Sequence, residues 1–271
     1  MKRICVYGRE DNRKSATVAN LAASIAVSGK KTAVISCGKT TDATRTLTDH
    51  QIPTVLEAMG QPDGCLAYSG FRDILCMNAG AAEAEDEGQA METAVNTIRN
   101  QGILRDREVV IYDAMEESEG GWSAARWDEM ADEVFLVTTC DYTSLDAVNH
   151  MCRNIEREAE RGGKIRLSGI IYHGRSNMDM PWIAEQYAAR IGSRIIGRIP
   201  MSQSMDLAAA ERKTVVERFP ADLITLLFHR LAEIILEDGC RCIPTPLTDL
   251  EMAEIWRKLA PVTPRPAGAV Y

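Results

Sequence analysis

Polar and apolar positions alternate along this chain with two recurring periods. Short, nearly continuous apolar runs lie at residues 4–7, 32–36, 73–77, 109–113, 134–138, 167–173 and 195–200. Runs of this length, rich in Val and Ile, predict strands buried on both faces, as in a parallel sheet. Between them, apolar residues three and four apart predict helices at 16–27, 53–60, 90–100, 142–162, 181–191, 205–210, 221–236 and 249–259. The segments 37–45 and 78–89 read as polar loops. The charges at Arg153, Glu156, Arg157, Glu158, Glu160 and Arg161 read as the solvated face of one long helix. Strands alternating with helices over the whole length predict an α/β fold, a mostly parallel sheet flanked by helices on both faces. No repeat, linker or second hydrophobic centre interrupts the pattern. One domain over residues 1–259 is expected, with a Pro/Ala-rich, disordered tail at 260–271.

Composition narrows the function classes. The chain has 271 residues, 45% of them hydrophobic, and a formal net charge of −8. That charge argues against a nucleic-acid partner. The N-terminus enters a strand at once, and no apolar run is long enough to span a bilayer. A cytoplasmic protein without a membrane segment is expected. The 8 cysteines include no C-x-x-C pair, so most are expected to be buried, reduced thiols. Cys240-Arg241-Cys242 offers two sulfurs, too few to complete a metal site. The 4 histidines are dispersed and form no cluster or triad.

The chemistry is concentrated at the end of the first strand and the loop after it, Val6-Tyr7-Gly8-Arg9-Glu10-Asp11-Asn12-Arg13-Lys14-Ser15. A strand, a polar loop ending in Lys-Ser and a helix make the layout of a phosphate-binding P-loop. A single-domain P-loop NTPase-like fold is therefore expected. The loop lacks most of its glycines. Backbone amides cradle phosphate when the chain takes φ > 0 and approaches closely, which glycine permits. Arg13 is expected to obstruct both, and Glu10 and Asp11 to repel a polyphosphate. A turn that never bound phosphate remains an alternative. A second acid, Asp113, ends an apolar strand in the Walker-B manner, where a working site would hold Mg²⁺.

Several stretches together resemble the nitrogenase iron protein family and its relatives among the reductases of chlorophyll and coenzyme biosynthesis. They are the P-loop position, Thr41-Asp42-Ala43-Thr44-Arg45, the Tyr112-Asp113 strand end, and residues 169–177. Later matches are Ile199-Pro200, Glu211-Arg212-Lys213-Thr214-Val215-Val216-Glu217 before Pro220, and Ile243-Pro244-Thr245-Pro246-Leu247. The resemblance implies a homodimer that binds MgATP in each subunit. It implies one [4Fe–4S] cluster across the dimer interface and electron transfer to a larger partner. The two cluster-cysteine positions fall on Asp86 and Glu119, and carboxylates are hard ligands poorly matched to iron–sulfur. The partner-docking arginine falls on Gln89, the water-orienting Asp on Gly38, the second switch acid on Glu117 and the adenine-facing Asn on His173. Lys14, Ser15, Asp42 and Asp113 keep their family types and form the candidate residual nucleotide and Mg²⁺ site.

Two functions are compatible with these residues. In the first, the chain is a degenerate, iron-protein-like pseudoenzyme without [4Fe–4S] cluster or efficient ATP hydrolysis. It would act by binding a protein, such as a nitrogenase-like catalytic component or a related iron protein. In the second, it is a nucleotide-binding ATPase or reductase-type protein with a weakened MgATP site and altered metal ligands. A homodimer would gather Asp86 and Glu119 from both subunits, and those carboxylates would repel one another without a cation.

Overall fold

The computed structural model describes residues 1–38, 41–80, 87–114, 130–176, 179–237 and 239–259. Strand β1 (Lys2–Tyr7) is the central element. It pairs in parallel with β5 (Val109–Asp113) on one side and β6 (Glu133–Thr138) on the other. Beyond β5 come β2 (Thr32–Ser36), β4 (Leu75–Asn78) and the two-residue β3 (Tyr68–Ser69). Beyond β6 come β7 (Arg166–His173) and β8 (Ile195–Ile199). Of these strands only β3 runs antiparallel, against β4. The Val- and Ile-rich runs are buried on both faces because both faces carry helices.

One face is covered by α1 (Lys14–Val27), α2 (Asp42–Thr48), α7 (Gln203–Ala210), α8 (Val215–Arg218) and α9 (Leu223–Leu236). The other carries α4 (Glu87–Asn100), α5 (Tyr142–Glu160), α6 (Pro181–Arg190) and α10 (Asp249–Leu259). The short α3 (Val55–Met59) starts with a capping box, Thr54 and Glu57 satisfying each other's backbone N–H groups. Helix α1 lies close to the sheet because its buried face is small, with Ala19, Ala22 and Ala23 fully covered. These elements make a single α/β domain, as the apolar pattern predicts.

Four local expectations need correction. The segment 37–45 is not all loop, because α2 begins at Asp42, whose carboxylate favours the positive end of a helix dipole. The strand expected at 73–77 starts at Leu75, preceded by a one-turn 3₁₀ helix, Phe71–Asp73, in which Arg72 and Asp73 take positive φ. The helix expected at 221–236 begins at Leu223, capped by Asp222, and Val215–Arg218 forms a separate turn. Glu158 does not sit on a solvated face. It is 6% exposed and pairs with Arg161 at 2.9 Å. The tail expected to be disordered at 260–271 lies outside the described residues.

The P-loop departs from β1 at Gly8, where a Cβ would lie 2.4 Å from the carbonyl oxygen of Val137 on β6. No side chain fits there without moving one of two central strands. Gly8→Ala is expected to cost about 1–3 kcal/mol by overpacking, read as a lower urea midpoint at unchanged slope.

Candidate functional site

The carboxyl ends of β1, β5, β6 and β7 lie side by side at one edge of the sheet, where open α/β sheets bind ligands. Helix α1 opens this site. Its N-cap is Arg13, at φ 56° and ψ 30°, in the left-handed region. Arg13 therefore takes the positive φ that its residue type was expected to prevent. An L-residue tolerates this conformation at a cost of about 1–2 kcal/mol. Around Arg13 the turn is held from several sides. Its carbonyl accepts bonds from Thr17 N at 2.9 Å and Thr17 Oγ1 at 3.0 Å, and its guanidinium meets Asp206 of α7 at 2.9 Å.

Lys14 and Asp113 are brought together. Lys14 Nζ lies 2.9 Å from Asp113 Oδ1, and both side chains are 2–3% exposed. The same ammonium donates to the carbonyl oxygen of Ala114. It therefore points into the junction of β1 and β5. Ser15 comes next on the first turn of α1, half-buried. Asp42 does not join this group. It is exposed on the first turn of α2, with no ion-pair partner among the described residues. Asp86, Glu117 and Glu119 lie outside the described residues.

The expected repulsion from Asp11 is answered inside the loop. Arg9 Nε donates to Asp11 Oδ1 at 3.1 Å, and Arg175, after β7, lies 3.6 Å from Asp11 Oδ2. Arg175 also lies 3.6 Å from Asp141 Oδ2. Asp141 caps α5. Burial alone would raise its pKa, but hydrogen bonds from Thr139, Thr143 and Ser144 outweigh burial and hold the carboxyl well below the usual range. Ser144 Oγ also lies 2.9 Å from Asn12 Oδ1, bringing the loop's midpoint against α5. Arg175, Asp141 and Asp206 were not singled out in the sequence. Only Asp141 leaves a local signal, an Asp just before a helical run. The other two are distant in the chain, and nothing near them marks the contact.

Two further groups flank the site. Cys37, at the end of β2, is buried, and burial first and the Asp113 carboxylate second push its thiol far up. His173 ends β7 and is 1% exposed. Its Nδ1 faces the Gly174 carbonyl oxygen at 3.2 Å. A carbonyl only accepts, so Nδ1 carries the proton. Burial is the main cause of a pKa lowered to about 4; the nearby charges of Arg13 and Arg175 add to it, while Gly174 and Asp179 oppose it.

Of the eight cysteines, four are buried, Cys140 and Cys242 are half-buried, and Cys65 and Cys240 are exposed. Cys5, Cys37, Cys76 and Cys152 are buried, and Cys76 lies within β4, where burial raises its thiol to about 12. Cys140 is half-buried after β6, and among the described residues no three metal-ligating side chains converge. Cys242 is held by backbone bonds to Leu167, and neither Cys240 nor Cys242 is in a disulfide.

Two experiments test this geometry. Lys14→Met leaves Asp113 buried and unpaired, which is expected to cost about 3–5 kcal/mol. Adding Asp113→Leu should restore part of that, and simple additivity in urea unfolding would show the pair is uncoupled. His173 binds a proton more weakly in the folded chain than its ordinary value of 6.5. Its contribution is full above that value and falls, as pH drops toward about 4, by about 1.4 kcal/mol per unit. His173→Asn should flatten this part of the stability–pH curve.

The family model for 4Fe-4S iron sulfur cluster binding proteins, NifH/frxC family, matches residues 2–260. The nitrogenase iron protein of Methanococcus voltae is 35% identical over 266 residues, covering 94% of this chain and 95% of the relative. Nitrogenase iron protein 2 of Methanothermobacter thermautotrophicus is also 35% identical, covering 95% and 98%. Among solved structures, the MinC:MinD cell division complex of Aquifex aeolicus superposes with a TM-score of 0.65 at 16% identity, over 92% of this chain and 98% of the other. At that identity the likeness shows the fold, a P-loop NTPase fold. The motifs, the sheet and the match over nearly the full length agree: the chain belongs to the NifH/frxC family of 4Fe-4S iron sulfur cluster binding proteins.

Proposed function

We propose that this chain is an iron-protein-like pseudoenzyme. In this reading it holds no [4Fe–4S] cluster, does not hydrolyse ATP efficiently, and acts by binding a partner protein. The observation that carries the reading is the buried Lys14–Asp113 ion pair. The lysine that would reach a ligand's phosphates and the acid that would hold Mg²⁺ neutralise each other. Turning Lys14 outward would strand a buried carboxylate, which costs several kcal/mol unless a cation replaces it. The other cations in and around the loop have acidic partners too: Arg9 on Asp11, Arg13 on Asp206, and Arg175, after β7, on Asp11 and Asp141. These exposed pairs are each worth only about 0–1 kcal/mol, so the buried pair dominates. The carboxylates at Asp86 and Glu119, in place of cluster cysteines, support the same reading. The partner would be a nitrogenase-like catalytic component or a related iron protein, met by the chain as a homodimer or in a mixed pair.

One observation favours a second reading, a weakened MgATP site. Arg13 keeps the left-handed turn that a P-loop requires, even without glycine. Lys14, Ser15 and Asp113 would then hold the nucleotide and its Mg²⁺.

Calorimetry with MgATP and MgADP, on protein purified without oxygen and with iron counted on the same sample, separates these readings. The pseudoenzyme reading expects no iron and no ATP turnover, with a partner retained on pull-down. Nucleotide binding that Lys14→Ala abolishes would favour the second reading. About four irons per dimer would overturn the first reading outright.

A further inference from the structure

The opposite edge of the sheet carries a second set of charges. Two neighbouring cavities of about 460 and 430 Å³ open where β2 and β5 begin. They share Lys30 and Arg107. The P-loop lies at the other ends of these parallel strands, a strand length of about 17–20 Å away. Basic side chains dominate both linings: Lys2, Lys30 and Arg105 with Arg107 in one, Lys31 and Arg72 with Lys30 and Arg107 in the other. Three acids face them, Asp73, Asp106 and Glu108. Six cations against three anions make a net positive patch on a chain of net charge −8.

Two of the three acids are held by cations, and the third, Asp73, accepts from Ser69 Oγ at 3.3 Å. Arg107 grips Asp106 through Nε and NH2, each at 2.9 Å, and Glu108 takes Lys30 at 2.8 Å and the Lys31 N–H at 3.0 Å. Those hydrogen bonds hold both carboxyls below their ordinary range, ahead of any opposing effect. Lys2 turns to the buried Glu133 at 3.1 Å. Two guanidinium groups are left over. The guanidinium groups of Arg105 in one cavity and Arg72 in the other have no ion-pair or hydrogen-bond partner among the described residues. Helix C-termini such as that of α1 attract cations to this edge, which accounts for a lysine or two but not for an unpaired arginine on each side of a shared wall.

The backbone at Arg72 is also unusual. Arg72 (φ 53°, ψ 39°) and Asp73 (φ 59°) are consecutive left-handed residues without a glycine. L-residues adopt this conformation only under strain, and such strain clusters at ligand clamps. Arg107 NH1 donates to the Asp73 carbonyl at 3.2 Å, so the residue in the shared wall also pins the strained turn that presents Arg72.

We infer that the two cavities form one site for a small oligophosphate, with one phosphoryl group on Arg105, another on Arg72, and Lys30 and Arg107 between them. The arginine fork matches phosphate oxygens in pairs, and either cavity is of the size that holds a small ligand. Nothing in this site draws on the P-loop, so it stands apart from the pseudoenzyme and MgATP readings.

Calorimetry with inorganic tripolyphosphate on the full chain tests the site, with citrate as the carboxylate comparator. Saturable binding of tripolyphosphate, weaker with citrate, is expected. Arg72→Gly, which keeps the left-handed turn, and Arg105→Ala should each weaken it about tenfold or more. Arg230→Ala, an equal loss of charge on the exposed face of α9, should leave it unchanged. The inference is overturned by absent binding, by equal citrate binding, by binding that survives both cavity variants, or by an equal loss in the Arg230 variant.

Discussion

The buried pair of Lys14 and Asp113 is the constraint on which the candidate site depends. It joins the first turn of α1 to the end of β5, two elements separated by about a hundred residues of chain. Both charges lie where water cannot screen them, so each needs the other. Their union fixes where the loop after β1 can run, and it withdraws from the surface the ammonium that a phosphate ligand would seek. A P-loop fold is thus present with its main cation turned inward.

Around that pair the loop is rebuilt from charge where glycine is missing. A glycine-rich loop holds anions with backbone amides; this one carries arginines and acids that bind each other. Arg13 shows the exchange most plainly. Its left-handed backbone costs about 1–2 kcal/mol, and the contact with Asp206 at 2.9 Å, more than a third exposed on both sides, offsets at most about 1 kcal/mol of it. The rest must come from packing of α1 against the sheet and α9, which leaves the first turn little freedom. The two edges of the sheet differ in the same terms. At the carboxyl edge Arg9, Arg13, Lys14 and Arg175 each have an acidic partner, while at the opposite edge the guanidinium groups of Arg72 and Arg105 have none among the described residues.

Much of this was legible in the residues. The strand–loop–helix order, the parallel sheet and the one-domain organisation come from apolar runs too short for helices and too continuous for half-exposed strands. The departures of the P-loop and the carboxylates at Asp86 and Glu119 are facts of sequence, as is the presence of Lys14, Ser15, Asp42 and Asp113. These depend on local pattern and residue type, which one chain displays without its fold.

Tertiary structure decided what the pattern leaves open. It joined Lys14 to Asp113 and left Asp42 exposed on α2. It let Arg13 take a left-handed turn that residue preference alone disfavours, because propensity is a weak force beside the packing of a helix on a sheet. It paired Asp11 with Arg175 and Asp206 with Arg13, contacts between distant loops that no local spacing encodes. Residue identity sets which charges exist; only the fold sets which of them meet, because Coulomb attraction depends on separation and burial rather than on order along the chain.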